Sequence, residues 1–136
     1  MHQVDEKTFA ATVAERAGLS KEEARDLTRA TLEELAGQLS SGELRKLVPM
    51  LPDWLRSDIP RHERPAHPFA ASEFIHRLAR RTGLEEEEVR HGVAAVLTTL
   101  REAMDPQHLD HALGLLPREY RELATAASAH PRRAEG

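Results

Sequence analysis

The chain is written twice. Gly18-Leu19-Ser20-Lys21-Glu22-Glu23-Ala24 returns 65 positions later as Gly83-Leu84-Glu85-Glu86-Glu87-Glu88-Val89. Between residues 9 and 56, 15 of 48 pairs at this constant offset are identical. Apolar positions match far more often than polar ones, and a chance alignment would not preserve both apolar stripes and helix caps. A unit that is apolar on one side must bury that side, and its nearest neighbour is the other copy.

Each copy reads as helices. Phe9, Val13 and Ala17 recur every four residues, with Ala10 and Ala14 alongside, so helix one is placed at Asp5 to Ala17. Gly18 ends it as a left-handed cap and lets Leu19 fold back. Ser20 and Glu23 have capping-box spacing and open a second helix reaching about Leu39. Ala24, Leu27, Thr28, Thr31, Leu35 and Leu39 form its buried face. Glu22, Arg25, Arg29 and Glu33 lie opposite, as expected of solvated ion pairs. Ser40 and Glu43 repeat the capping-box spacing before the stripe Leu44, Leu47, Val48 and Leu51. Pro49 weakens the end of that helix. Pro52 suits the first turn of a short fourth helix to about Ser57.

Pro60 to Pro68 holds three prolines in nine positions, which excludes helix interior. It is expected to be an extended, exposed linker anchored by Phe69. Phe74, Leu78, Ala79 and Gly83-Leu84 then repeat the first helix and its cap. Val89, Val93, Val96, Leu97, Leu100 and Met104 repeat the stripe of the second. Asp105-Pro106 is a good start for the third, and Leu109, Ala112, Leu113 and Leu116 line it. The expected organisation is a first repeat over 1–59, a linker over 60–69, a second repeat over 70–129 and a disordered tail over 130–136. The predicted fold is all-α, two tandem copies of a four-helix unit in one pseudo-two-fold eight-helix domain. About 60 residues is marginal for an independent core, so a shared core is favoured over two separate bundles.

Composition agrees. Val and Ile together number eight and aromatics five, a poor supply for strands. There is no cysteine, which excludes disulfides, thiolate metal sites and cysteine nucleophiles and fits a reducing compartment. The net charge of −4 divides evenly, 10 basic against 12 acidic residues up to position 65 and 9 against 11 beyond it. No basic stripe or acidic tail emerges. No apolar run approaches the roughly 20 residues that span a bilayer, and Met1 to Asp5 does not read as a signal peptide. A soluble cytoplasmic protein without membrane contact is expected.

The repeat resembles a known bacterial family, the domain of unknown function numbered 2267. The resemblance rests on the phenylalanine opening helix one and on Arg-x-Gly-Leu, at Arg16 to Leu19 and again at Arg81 to Leu84. It continues through Thr31-Leu32-Glu33-Glu34-Leu35 and Leu39-Ser40-Ser41-Gly42-Glu43 to Leu51-Pro52 and Leu116-Pro117. It covers about residue 4 to residue 125. These motifs are structural. The resemblance implies an all-helical cytoplasmic protein, common in actinobacteria and other bacteria, and it implies no catalytic residues.

Several residues are candidates for chemistry. His108 and His111, three apart on one helix with Asp105 and Asp110 nearby, have a spacing that can share a metal. They align with Glu43 and Lys46, so plain surface residues are the ordinary reading. Arg77, Arg80 and Arg81 cluster at a helix C-terminus, where they can contact an anion or nucleic acid. The plainer account is complementation of the helix dipole and pairing with Glu85 to Glu88. Those four glutamates themselves fit the positive end of a helix. Trp54, the single tryptophan, aligns with Glu119, which places it near the surface. Trp54, Leu55 and Ile59 are a candidate partner surface, the alternative being that Trp54 covers one edge of the core. Leu27 aligns with Gly92, which either admits a close helix approach or is a tolerated substitution.

No catalytic residue, cofactor site or specific metal motif emerges. The preferred reading is a non-enzymatic helical interaction module that engages a protein partner or a second copy. Nucleic-acid binding is the runner-up. Small-molecule binding at the seam between the repeats is the third.

Overall fold

Capping side chains set where the helices begin. The computed structural model describes residues 5–60 and 65–129, with side chains through residue 124. Asp5 accepts a hydrogen bond from the Thr8 N–H and starts α1, Glu6–Ala17. Ser20 and Glu23 close a reciprocal capping box at the head of α2, Lys21–Gln38. Ser40 and Glu43 do the same for α3, Ser41–Leu47. Pro49 has no N–H to continue that helix. The chain tightens instead into a 3-10 turn, Val48–Met50, before the single turn α4, Asp53–Arg56. Pro52 caps α4 from outside rather than forming its first turn.

After Pro65–Pro68, which is exposed, the pattern resumes as α5, Ala71–Thr82, and α6, Glu86–Ala103. α7, Pro106–Gly114, starts from an Asp105 cap, and α8 runs Glu119–Ala129. The described residues thus hold eight α-helices and no strand. α1 and α5 have 12 residues each and α2 and α6 have 18 each. Gly18 and Gly83 end α1 and α5 at φ 71° and 79°, in the left-handed region where a Cβ is disfavoured.

The two long helices α2 and α6 pack on each other, and both α1 and α5 lie against both of them. α3 meets α7, and α8 covers α6. Buried side chains from both halves of the chain form one cluster, from Phe9 and Val13 through Leu27, Leu35 and Leu55 to Phe74, Val93, Leu97 and Tyr120.

The polar face of α2 carries ion pairs, as expected. Their partners come from other elements, because α1, α5 and the turn that follows α4 flank it. Arg29 donates to Glu6 at 2.9 Å and to Asp58 at 3.0 Å. Arg81 of α5 donates to both Glu33 and Glu34. The arginine of each Arg-x-Gly-Leu therefore reaches the long helix of the other half, since Arg16 donates to Thr99 Oγ1 at 2.9 Å and pairs with Glu102.

The linker's return is held by a side chain that periodicity does not single out. Gln38 is fully buried at the end of α2. Its backbone carbonyl accepts from the His67 N–H, and its Oε1 accepts from the Phe69 N–H, each at 2.9 Å. The Tyr120 hydroxyl donates to the Phe69 carbonyl at 2.7 Å, with Gln38 Oε1 at 3.1 Å. Phe69 is anchored as expected, and the Arg77 guanidinium covers its ring 4.1 Å from the centroid. The expected tail at 130–136 and residues 61–64 of the linker lie outside the described residues. Among the described residues no helix is long and apolar enough to cross a membrane.

Candidate functional site

The apolar surface is not where Trp54 suggested. Leu55 is fully buried and Ile59 is 7% exposed, so neither contributes to a surface. Trp54 is half-buried and sits edge-on to Phe9, ring centroids 5.1 Å apart. The single turn of α4 points Leu55 inward and leaves Trp54 to roof the Phe9 ring. Its counterpart Glu119 needs no such role, because Tyr120 packs on Phe74 at 5.2 Å instead. The aromatic cover has moved one position along the chain.

The large hydrophobic side chains exposed among the described residues are Met50, at 41%, and Leu115, at 38%. They occupy equivalent positions of the sequence repeat, and both line one groove of about 660 Å³ between α3 and α7. Local structure explains why. The Pro49 turn ends α3 early and turns Leu51 inward, which leaves Met50 outside. In the second half Leu116 turns inward and Leu115 stays outside. The buried Leu39 and Ala112 lie deepest among the residues that line the groove. Leu47 and Pro49 add to its apolar wall, and Glu43, Arg45, Lys46, His108 and His111 supply its polar lining.

The rim is cationic in a chain of net charge −4. Arg45 and Lys46 have no acidic partner among the described residues, whereas Arg16, Arg29, Arg77, Arg81 and Arg101 all pair. Glu43 spends its carboxylate on the Ser40 N–H at 2.8 Å. Asp110 is gripped by both ends of the Arg101 guanidinium, at 2.9 and 2.8 Å, which holds its carboxyl below the usual range. His108 stands 4.0 Å from Asp105. Among the described residues no three His, Asp or Glu side chains gather closely enough to hold a metal, so His108 and His111 have groove contacts but no completed ligand set.

Two of the three clustered arginines, Arg77 and Arg81, are occupied. Arg77 pairs with Glu73 at 3.0 Å and approaches Glu34 at 3.8 Å. Arg81 is held by Glu33 and Glu34, hydrogen bonds that push its pKa further up. Arg80 is exposed with no ion pair among the described residues. The partners are Glu73 of α5 itself and the α2 glutamates rather than Glu85 to Glu88, because α5 lies along α2. Those four begin α6 as expected, with Glu88 Oε1 accepting from the Glu85 N–H and Glu86 beside His76 at 3.1 Å.

The seam beneath the groove is nearly filled. It encloses about 20 Å³, roughly one water's volume, lined by Leu32, Leu35, Leu100, Leu109 and other apolar side chains. No polar groups converge on it. Sequence reasoning also missed Gln38 and Tyr120. Tyr120 aligns with Leu55, and a phenol standing for a leucine is the only signal that pointed there. Burial pushes its pKa from 10.0 up to about 12.

No functionally curated protein matches the chain. The family model described as "Uncharacterized conserved protein (DUF2267)" matches residues 6–123, nearly the whole helical body, and the chain belongs to that family.

Proposed function

We propose that the chain is a duplicated helical unit, its halves related by an approximate two-fold axis, and that it works as a non-enzymatic module docking a protein partner in the α3–α7 groove. Three pairings support the duplication. The long helices α2 and α6 start 65 residues apart, at Lys21 and Glu86. Arg16 reaches Thr99 and Arg81 reaches Glu34, which are equivalent contacts at that offset. Leu27 packs on its own counterpart, Gly92.

The observation that carries the function is Met50 with Leu115, two equivalent apolar side chains left outside and meeting in one groove. Exposed apolar surface rimmed by polar groups marks contact sites, and methionine and arginine are enriched in interfaces. A bacterial cytoplasmic setting belongs to the same reading, supported by the family and by a composition without cysteine. Nucleic-acid binding through Arg77 and Arg81 would first have to break their ion pairs with Glu73, Glu33 and Glu34. A small molecule at the seam has about 20 Å³ to occupy.

Quantitative affinity capture compares wild type with Met50→Asp/Leu115→Asp, after circular dichroism establishes that both fold. A partner that binds the purified wild type directly and not the variant supports the proposal. Equal binding by both overturns it.

A further inference from the structure

We infer that the occupant of the α3–α7 groove is an amphipathic helix that carries carboxylates beside its apolar stripe. This rests on the docking reading above and adds to it the chemistry of the partner. The groove runs between two short helices and offers Leu47, Pro49 and Met50 on one wall and Ala112 and Leu115 on the other. α3 and α7 have seven and nine residues. At about 1.5 Å per residue, their walls match two to three turns of a third helix laid between them. Helix-in-groove recognition reads apolar anchors at i, i+3, i+4 and i+7 over such a length.

Charge chooses among the occupants. The first-half rim presents Arg45 and Lys46, both without an acidic partner among the described residues. The second-half rim presents His108 and His111, which can donate N–H groups. The nearby acids are already engaged, Glu43 in its cap and Asp110 by Arg101. A partner with carboxylates flanking its stripe supplies the missing acceptors, and complementary rim charge sets partner choice. A second copy docked groove to groove with like halves facing would set Arg45 and Lys46 against their own copies, which disfavours it. A lysine-flanked helix meets the same repulsion.

Two synthetic helical peptides test this against the full chain. Both carry leucine at i, i+3, i+4 and i+7, and one has glutamate where the other has lysine. Fluorescence anisotropy gives affinity, and the methyl resonances of Met50 and Leu115 report the location. We expect the glutamate peptide to bind at least about tenfold more tightly and to shift both methyl signals. Arg45→Glu/Lys46→Glu should abolish or invert that preference, and Arg45→Gln/Lys46→Gln, a milder surface change, should at least halve it. Equal affinity of the two peptides in the groove overturns the acidic partner while leaving docking intact. Methyl signals unmoved by either peptide overturn both readings. Concentration-dependent dimerisation that shifts the same methyls makes a second copy the occupant and overturns this one.

Discussion

Leu27 and Gly92 stand at the same position of the two sequence repeats and touch. A methyl group added at Gly92 would overlap Leu27 Cδ2, a fully buried side chain. The large residue in one long helix fills the gap left by the small one in the other. Gly92→Ala should gain about 1 kcal/mol of helix propensity against an overpacking cost of about 1–3 kcal/mol. A net loss of about 1 kcal/mol is therefore expected. Leu27→Ala should cost about 2–5 kcal/mol. In the double variant the new methyl enters the space Leu27 leaves. Its stability should exceed the sum of the single effects by about 1 kcal/mol. Urea unfolding of the four proteins measures this, and strict additivity would show that the pair does not meet.

Tyr120 makes stability depend on alkaline pH. Its phenol is desolvated in the fold and titrates near 12 instead of 10.0. The folded state thus holds the proton more tightly than the unfolded chain. The contribution is complete below pH 10.0 and is lost as pH rises toward about 12. It is the only tyrosine, so phenolate absorbance reports its titration directly. Tyr120→Phe should cost about 1 kcal/mol at neutral pH by removing the bond to the Phe69 carbonyl. It should also flatten the alkaline decline. A phenol titrating at its ordinary value would mean that the linker is not docked on Gln38 and Tyr120.

The helix boundaries were legible because they are local. Ser20, Ser40 and Asp105 act within three residues of themselves, and Gly18 and Gly83 need only a left-handed backbone. The apolar stripes were legible for the same reason. Partners across the fold were not. Arg81 could be read as a helix-end cation, yet nothing local says that α5 will lie along Glu33 and Glu34 of α2. For Trp54 the alignment with Glu119 left two readings open, a partner surface or a cover for one edge of the core, and the ring's place against Phe9 agrees with the second. Phe9 needed a cover there, and Phe74 found one in Tyr120. Met50 and Leu115 read only as matched apolar positions, because apolar character kept in both copies normally signals core. Only the fold shows that the residues beside them, Leu51 and Leu116, took the inward places.

Trp54→Ala separates a structural role from a surface one. The ring is half-buried against Phe9, at 5.1 Å, so truncation should cost about 2 kcal/mol. Analytical ultracentrifugation should find the association state unchanged. A shift in sedimentation without lost stability would return Trp54 to the partner surface.

Thr31 is fully buried on α2, and its hydroxyl has no hydrogen-bond partner among the described residues. The equivalent position in α6 is Val96, also fully buried. Thr31→Val keeps the shape and removes an unpaired polar group, so it should stabilise by about 1 kcal/mol. A rise in the thermal midpoint checks this, and a loss of stability would show that the hydroxyl is bonded in solution.

The neighbouring leucines that follow α7 should answer the same substitution in opposite ways. Leu115 is 38% exposed on the groove and Leu116 is 7% exposed beneath it. Leu115→Asp places its carboxylate in water and should change stability by no more than about 0.5 kcal/mol. Leu116→Asp buries a charge with no cation beside it and should cost about 3–5 kcal/mol. Thermal melts of the two variants distinguish them in one experiment. Because Leu115→Asp stays folded, any binding it loses is assignable to the groove rather than to unfolding. If Leu115→Asp were instead the damaging change, α7 would present the opposite face to the core, and both Met50 and Leu115 would cease to be a surface.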